Sequence, residues 1–138
     1  MKRVLIVTLF AFSLGAVPAG GAAIVSPTFR LAIVHVVHGC HVWQTATKEL
    51  GPAATISVKR GTKLELRISC PMDFDLVQTA GPPLALGGTR LYSGTARTIV
   101  FRKRGVYKLR AKNVQSSEQQ GLQTLGDDST LTVKIRVT

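Results

Sequence analysis

Strict alternation of apolar and polar residues limits what this chain can fold into more than any other feature. In residues 131–137, Leu131, Val133, Ile135 and Val137 alternate with Thr132, Lys134 and Arg136; in residues 63–69, Leu64, Leu66 and Ile68 do the same. Successive side chains of an extended segment point to opposite faces, so each run reads as a strand with one buried and one wet face. Residues 29–37 (FRLAIVHVV) are rich in β-branched side chains, 55–59 alternate, and 75–79 form a shorter candidate. Residues 59–62, with Gly61, read as the turn joining 55–59 to 63–69. Residues 95–101 and 106–111 flank Arg102, Lys103, Arg104 and Gly105, which read as the turn of a hairpin. No window carries a helical apolar stripe, and the polar stretch 113–128 reads as a loop or one helical turn. About seven or eight such segments with turn residues between them indicate an all-β sandwich or small barrel. Leu64, Leu66, Ile68, Tyr107, Leu109, Leu131, Val133, Ile135 and Val137 are the expected core, and Lys108, Arg110, Lys134 and Arg136 are expected to face water.

Residues 1–23 stand outside this pattern. Lys2 and Arg3 precede an apolar run from Val4 to Leu14, interrupted only by Thr8 and Ser13, and small residues follow through Ala23. A basic start, a short apolar stretch and a small-residue exit read as a secretory signal peptide, cleaved after Ala19 or Ala23. The run is short for a spanning helix, which needs about 20 apolar residues, so an uncleaved anchor is the lesser alternative. The expected organisation is a signal peptide over 1–23 and one domain over 24–138. The expected location is secreted or periplasmic, with no transmembrane domain after cleavage.

Composition then narrows the function. Apolar residues make up 45% and charged residues 18%, which excludes disorder for most of the chain. Two cysteines are too few for a disulfide-dense scaffold or a four-thiolate zinc site. Phosphate-loop, dinucleotide-binding, zinc-protease and serine-hydrolase motifs are all absent. The formal charge is +11. Lys108, Arg110 and Lys112 alternate with Tyr107, Leu109 and Ala111, which predicts one basic, solvent-facing stripe. Such a stripe suits an anionic cell surface or an acidic protein partner; a solvated face that aids solubility is the plainer reading. Nucleic acid is not expected, since only Tyr92 and Tyr107 lie near the cations and Tyr107 falls on the apolar phase. Trp43, the single tryptophan, reads as a core or edge anchor.

Several segments together resemble the cupredoxins. Residues 99–109 (IVFRKRGVYKL) resemble the aromatic strand, Gly-ended turn and G-x-Y-x-F segment that lead into a cupredoxin copper loop. Residues 131–137 resemble the closing strand, and 61–78 resemble the G-x-x-L-x-L strand before the first copper histidine. Residues 39–43 (GCHVW) are similar to a segment of some exported bacterial cupredoxin-like proteins. The resemblance implies a cupredoxin-like Greek-key β-sandwich. It also implies where a blue-copper site should be: two imidazoles, a thiolate and a weak axial Met. At those places the chain has Phe74 for the first His and Ala111 for the Cys, with no His after His41 and no Met after Met72. A conventional type 1 centre is therefore not expected, and no cofactor is expected, with copper as the alternative.

The remaining chemistry-bearing residues are His35, His38, Cys40, His41, Cys70 and Met72. Export favours a disulfide between Cys40 and Cys70, which the sandwich would bring to one end. Alternatively, His38, Cys40, His41, Cys70 and Met72 form a displaced soft site suited to copper. Two unpaired buried cysteines are the third possibility. No catalytic residues are assigned: Cys40 and His41 are neighbours that would point apart on a strand, and Asp73 and Asp75 share a face but read as solvated acids. The sequence thus points to an exported, non-catalytic structural or binding module, not an enzyme. The alternative is an extracytoplasmic copper-binding or electron-transfer protein.

Overall fold

In the computed structural model, residues 26–36, 41–114 and 130–138 are described. Alternation becomes strand at every place where it is strict. The described residues form ten strands: β1 (Thr28–His35), β2 (His41–Gln44), β3 (Glu49–Gly51), β4 (Ala53–Val58), β5 (Lys63–Ser69), β6 (Asp73–Ala80), β7 (Arg90–Leu91), β8 (Ala96–Val100), β9 (Gly105–Val114) and β10 (Thr130–Val137). They lie in two five-stranded sheets, ordered β3-β2-β1-β5-β8 and β4-β10-β9-β6-β7. The β1–β5 and β4–β10 pairs are parallel and the others antiparallel. Parallel neighbours cannot be joined by a tight turn. The chain instead reaches them by changing sheets, passing from the first sheet to the second between β3 and β4 and back between β4 and β5.

The expected inward residues, Leu64 to Ile68, Tyr107 with Leu109, and the four apolar residues of β10, are all buried between the sheets. Lys108, Arg110, Lys134 and Arg136 are exposed. Phe74, Phe101 and Trp43 complete the core, each with no exposed surface. Trp43 lies in β2 of the first sheet and its Nε1 donates to the Thr132 carbonyl of the second, 2.8 Å away. An indole N–H buried in a core needs such a partner, and here the bond also ties the two sheets together.

Two expectations about turns are corrected. Residues 102–105 are not a hairpin turn, because β8 lies in one sheet and β9 in the other. Phe101 turns into the core instead, and its ring meets Tyr107 edge-on at 5.1 Å, which carries the chain across the sandwich. Residues 59–62 likewise cross between sheets rather than join paired neighbours. The described residues hold ten strands, beside the seven or eight that the sequence suggests. The surplus comes from β2, β3 and β7, of four, three and two residues, which are too short to show a period. The leader 1–23 and residues 115–128 of the polar stretch lie outside the described residues. Among the described residues no helix is long and apolar enough to cross a membrane.

Candidate functional site

The two ends of the sandwich differ in what they hold. At one end β1, β5 and β9 finish and β2 and β6 begin, which gathers His35, His41, Cys70, Met72, Phe74 and Asn113. Of the five residues of the displaced copper set, His41, Cys70 and Met72 are described. His38 and Cys40 lie outside the described residues, and with them the proposed disulfide.

Each of the three described residues is buried and engaged. His41 stands opposite His35 in the β1–β2 register and is 1% exposed. Its ring meets those of His35 and Phe74 edge-on, with centroids 5.2 and 5.3 Å apart. Met72 Sδ accepts from Asn113 Nδ2 at 2.7 Å. Cys70 lies just past β5 with its Sγ 3.9 Å from the Met72 carbonyl. Burial pushes the Cys70 thiol above its ordinary pKa; the contact with the Met72 carbonyl opposes this and nearby Asp73 adds to it. A thiol held protonated is a poor metal ligand, since the thiolate is the binding form.

The positions that the cupredoxin pattern assigns to ligands are apolar. Phe74 and Ala111 are fully buried on neighbouring strands, Phe74 opposite Asn113 and Ala111 opposite Leu76. Neither offers a nitrogen or sulfur donor, so the type 1 copper set does not fit these residues. Among the described residues, no group of three or more His, Cys, Asp or Glu is placed to hold a metal ion. The carboxylate pair is also occupied structurally. Asp73 Oδ1 accepts from the Ser93 backbone N–H at 2.9 Å, and Asp75 Oδ1 accepts from Arg90 Nε at 2.7 Å.

The opposite end is closed by backbone and covered by cations. Gly61 N–H donates to the Phe101 carbonyl at 2.7 Å, Phe101 N–H to that of Thr62 at 3.2 Å, and Arg60 N–H to that of Thr138 at 2.8 Å. Tyr107 Oη donates to the Lys103 carbonyl at 2.7 Å. Gly61 has φ +86°, a conformation glycine adopts without a Cβ clash. These bonds lock the β4–β5 and β8–β9 turns against each other. Lys59, Arg60, Lys63, Arg102, Lys103 and Arg104 are therefore all exposed at one end. The ion pairs found among the described residues, Arg30–Glu65 and Arg90–Asp75, involve none of them. Residues 59–63 and 102–104 are far apart in the chain, so only the fold brings these cations together. The available signal was that both basic runs sit in glycine-marked turns.

The outer face of the second sheet adds the expected stripe. Lys108, Arg110 and Lys112 follow one another on β9, and Lys134 of β10 stands directly opposite Lys108.

No family model matches the chain, and no curated protein is similar to it in sequence. Among solved structures it is similar to a purple cupredoxin from Nitrosopumilus maritimus, at 13% identity over 79% of this chain and 98% of that one, TM-score 0.46. It is similar to reduced rusticyanin at 14% identity over 80% of this chain and 78% of that one, TM-score 0.42. It is also similar to the cysteine protease inhibitor EhICP2 from Entamoeba histolytica, at 10% identity over 62% and 85% of the two chains, TM-score 0.39. Likenesses at this level assign no chemistry to the chain. Its own strand order makes it a two-sheet β-sandwich with two parallel pairs, in which Phe74 and Ala111 stand where the sequence resemblance to cupredoxins would place copper ligands.

Proposed function

We propose that this chain is an extracytoplasmic, non-catalytic binding module that attaches to an anionic surface through its exposed cations. The observation that carries this reading is the Lys134–Lys108 cross-strand pair, set among Arg110, Lys112 and Arg136 on one sheet face. Like charges directly opposite one another destabilise a strand pair, so folding alone does not favour the arrangement. An anionic surface converts that repulsion into attraction. The extracytoplasmic location rests on the leader read in residues 1–23.

The test is retention on an anionic matrix such as heparin, developed with a salt gradient. The protein should elute well above physiological ionic strength, and Lys108→Gln/Lys134→Gln should elute earlier. Elution of the unaltered protein below physiological ionic strength would remove the reading.

One observation favours a second reading, a copper-binding or electron-transfer protein with a displaced site. His41, Cys70 and Met72 share the same end of the sandwich, and His38 and Cys40 immediately precede His41 in sequence. Elemental analysis of protein from its native compartment, together with a thiol count, separates the two readings. Stoichiometric copper would favour the second.

A further inference from the structure

The reading as an anionic-surface module leaves the surface unnamed, and the closed end of the sandwich narrows it. Six cations there share their end with two exposed apolar side chains, Val100 at 37% and Val106 at 40% exposure, one on the outer face of each sheet. These valines flank the Arg102-Lys103-Arg104 turn, one at the end of β8 and one at the start of β9. Each is flanked in turn by a cation across the strand pair, Val100 by Lys63 and Val106 by Arg136. Beside the same turn lies an open hollow of about 400 Å³. Its lining joins Pro83, Leu84, Ala85 and Val100 to Arg102 and Lys103.

A soluble polyanion offers charge but nothing for the apolar part of this surface. A bilayer of anionic phospholipid offers both, since phosphates meet the cations while the valines reach the boundary of the acyl region.

We infer that the closed end, through the 59–63 and 102–104 cations and the Val100 and Val106 shoulders, docks on the surface of an anionic phospholipid bilayer. This rests on the proposed function and specifies its partner. The turns are held by backbone hydrogen bonds and by Tyr107, so the backbone that carries the cations need not reorder on docking.

The experiment uses protein expressed with its own leader and purified from the exported fraction. Binding is measured to vesicles of equimolar phosphatidylglycerol and phosphatidylcholine, and to vesicles of phosphatidylcholine alone. The protein should bind the first and not the second. Arg102→Gln/Lys103→Gln/Arg104→Gln should bind on the order of a hundredfold more weakly, given the attraction each cation contributes at such a surface. Lys108→Gln/Arg110→Gln/Lys112→Gln, on the sheet face that the proposed function also uses, should weaken binding too, but by less than the turn variant. Val100→Ser/Val106→Ser should lose the part of the binding that survives high salt. All these residues are exposed, and unchanged melting temperatures verify the fold of each variant. Equal losses from the turn and face variants would overturn the inference. So would retention on the anionic matrix without vesicle binding; in both cases the broader reading stands. Failure to bind either vesicle or matrix removes both.

Discussion

The His41 end and the basic end of this sandwich are built on opposite principles. At the His41 end, His41 packs against Phe74, Met72 lies under Asn113 and Cys70 beside the Met72 carbonyl, all three buried, while His35 is exposed. At the basic end the backbone satisfies itself, and the side chains are left in water with their charge. A residue type therefore says little about function until its surroundings are known. Imidazole, thiol and thioether here help to fill a core, while common lysines and arginines form the surface that is available to a partner.

The comparison breaks first at the aromatic side chains that plug each end. Phe74→Ala and Phe101→Ala each empty a fully buried site and should each cost about 3–5 kcal/mol in denaturant unfolding. A loss below about 1 kcal/mol at Phe74 would mean that the His41 end is loosely packed rather than filled.

Gly81→Ala tests the basic end alone. Gly81 has φ +105° and an added Cβ would lie 2.6 Å from the Val106 carbonyl oxygen, a clash against backbone that cannot swing away. It should lower stability by about 1–3 kcal/mol. Val106 sits beside the turn, so the same variant should weaken anionic-surface binding while the Cys70 thiol stays protected.

The thiol sharpens the comparison from the other side. In reduced protein Cys70 should resist a disulfide-exchange reagent at neutral pH and react once the chain unfolds. Because burial raises its pKa in the fold, the native state keeps a proton that the unfolded state has already released at alkaline pH. Stability is thus fully present below the unfolded thiol's pKa and falls as pH rises towards the folded one. Cys70→Ala should remove that part of the alkaline loss; an unchanged profile would place its origin elsewhere.

The smallest effect belongs to the sheet face. Lys108→Gln removes one half of a directly opposed like-charge pair and should stabilise the protein by about 0.2–1 kcal/mol at low salt. The gain should vanish at high salt, where exposed charges are screened.

The layered β architecture was legible because alternation reports burial directly: Leu64, Leu66 and Ile68, or Leu131 to Val137, can be buried on one face only if the chain is extended there. The same logic placed Lys108 and Arg110 in water. Turn residues are weaker guides, because a glycine-marked turn joins paired neighbours or crosses between layers with similar local sequence. Only the burial of Phe101 and its contact with Tyr107 decide that residues 101–105 cross. Likewise β2 and β3 have too few residues to show a period, and Trp43 finds Thr132 across 89 positions of sequence.

For the candidate site the division is the same. Sequence by itself determined that Phe74 and Ala111 hold no copper donor, because the identity of a side chain settles what it can ligate. It also determined the net positive charge. Tertiary structure decided that Lys59, Arg60 and Lys63 would meet Arg102, Lys103 and Arg104 at one end, since that requires the Gly61–Phe101 hydrogen bond between turns some forty residues apart in the chain. Composition fixes how much charge a chain carries, but only the packing of two sheets, by choosing which turns share an end, fixes where that charge is concentrated.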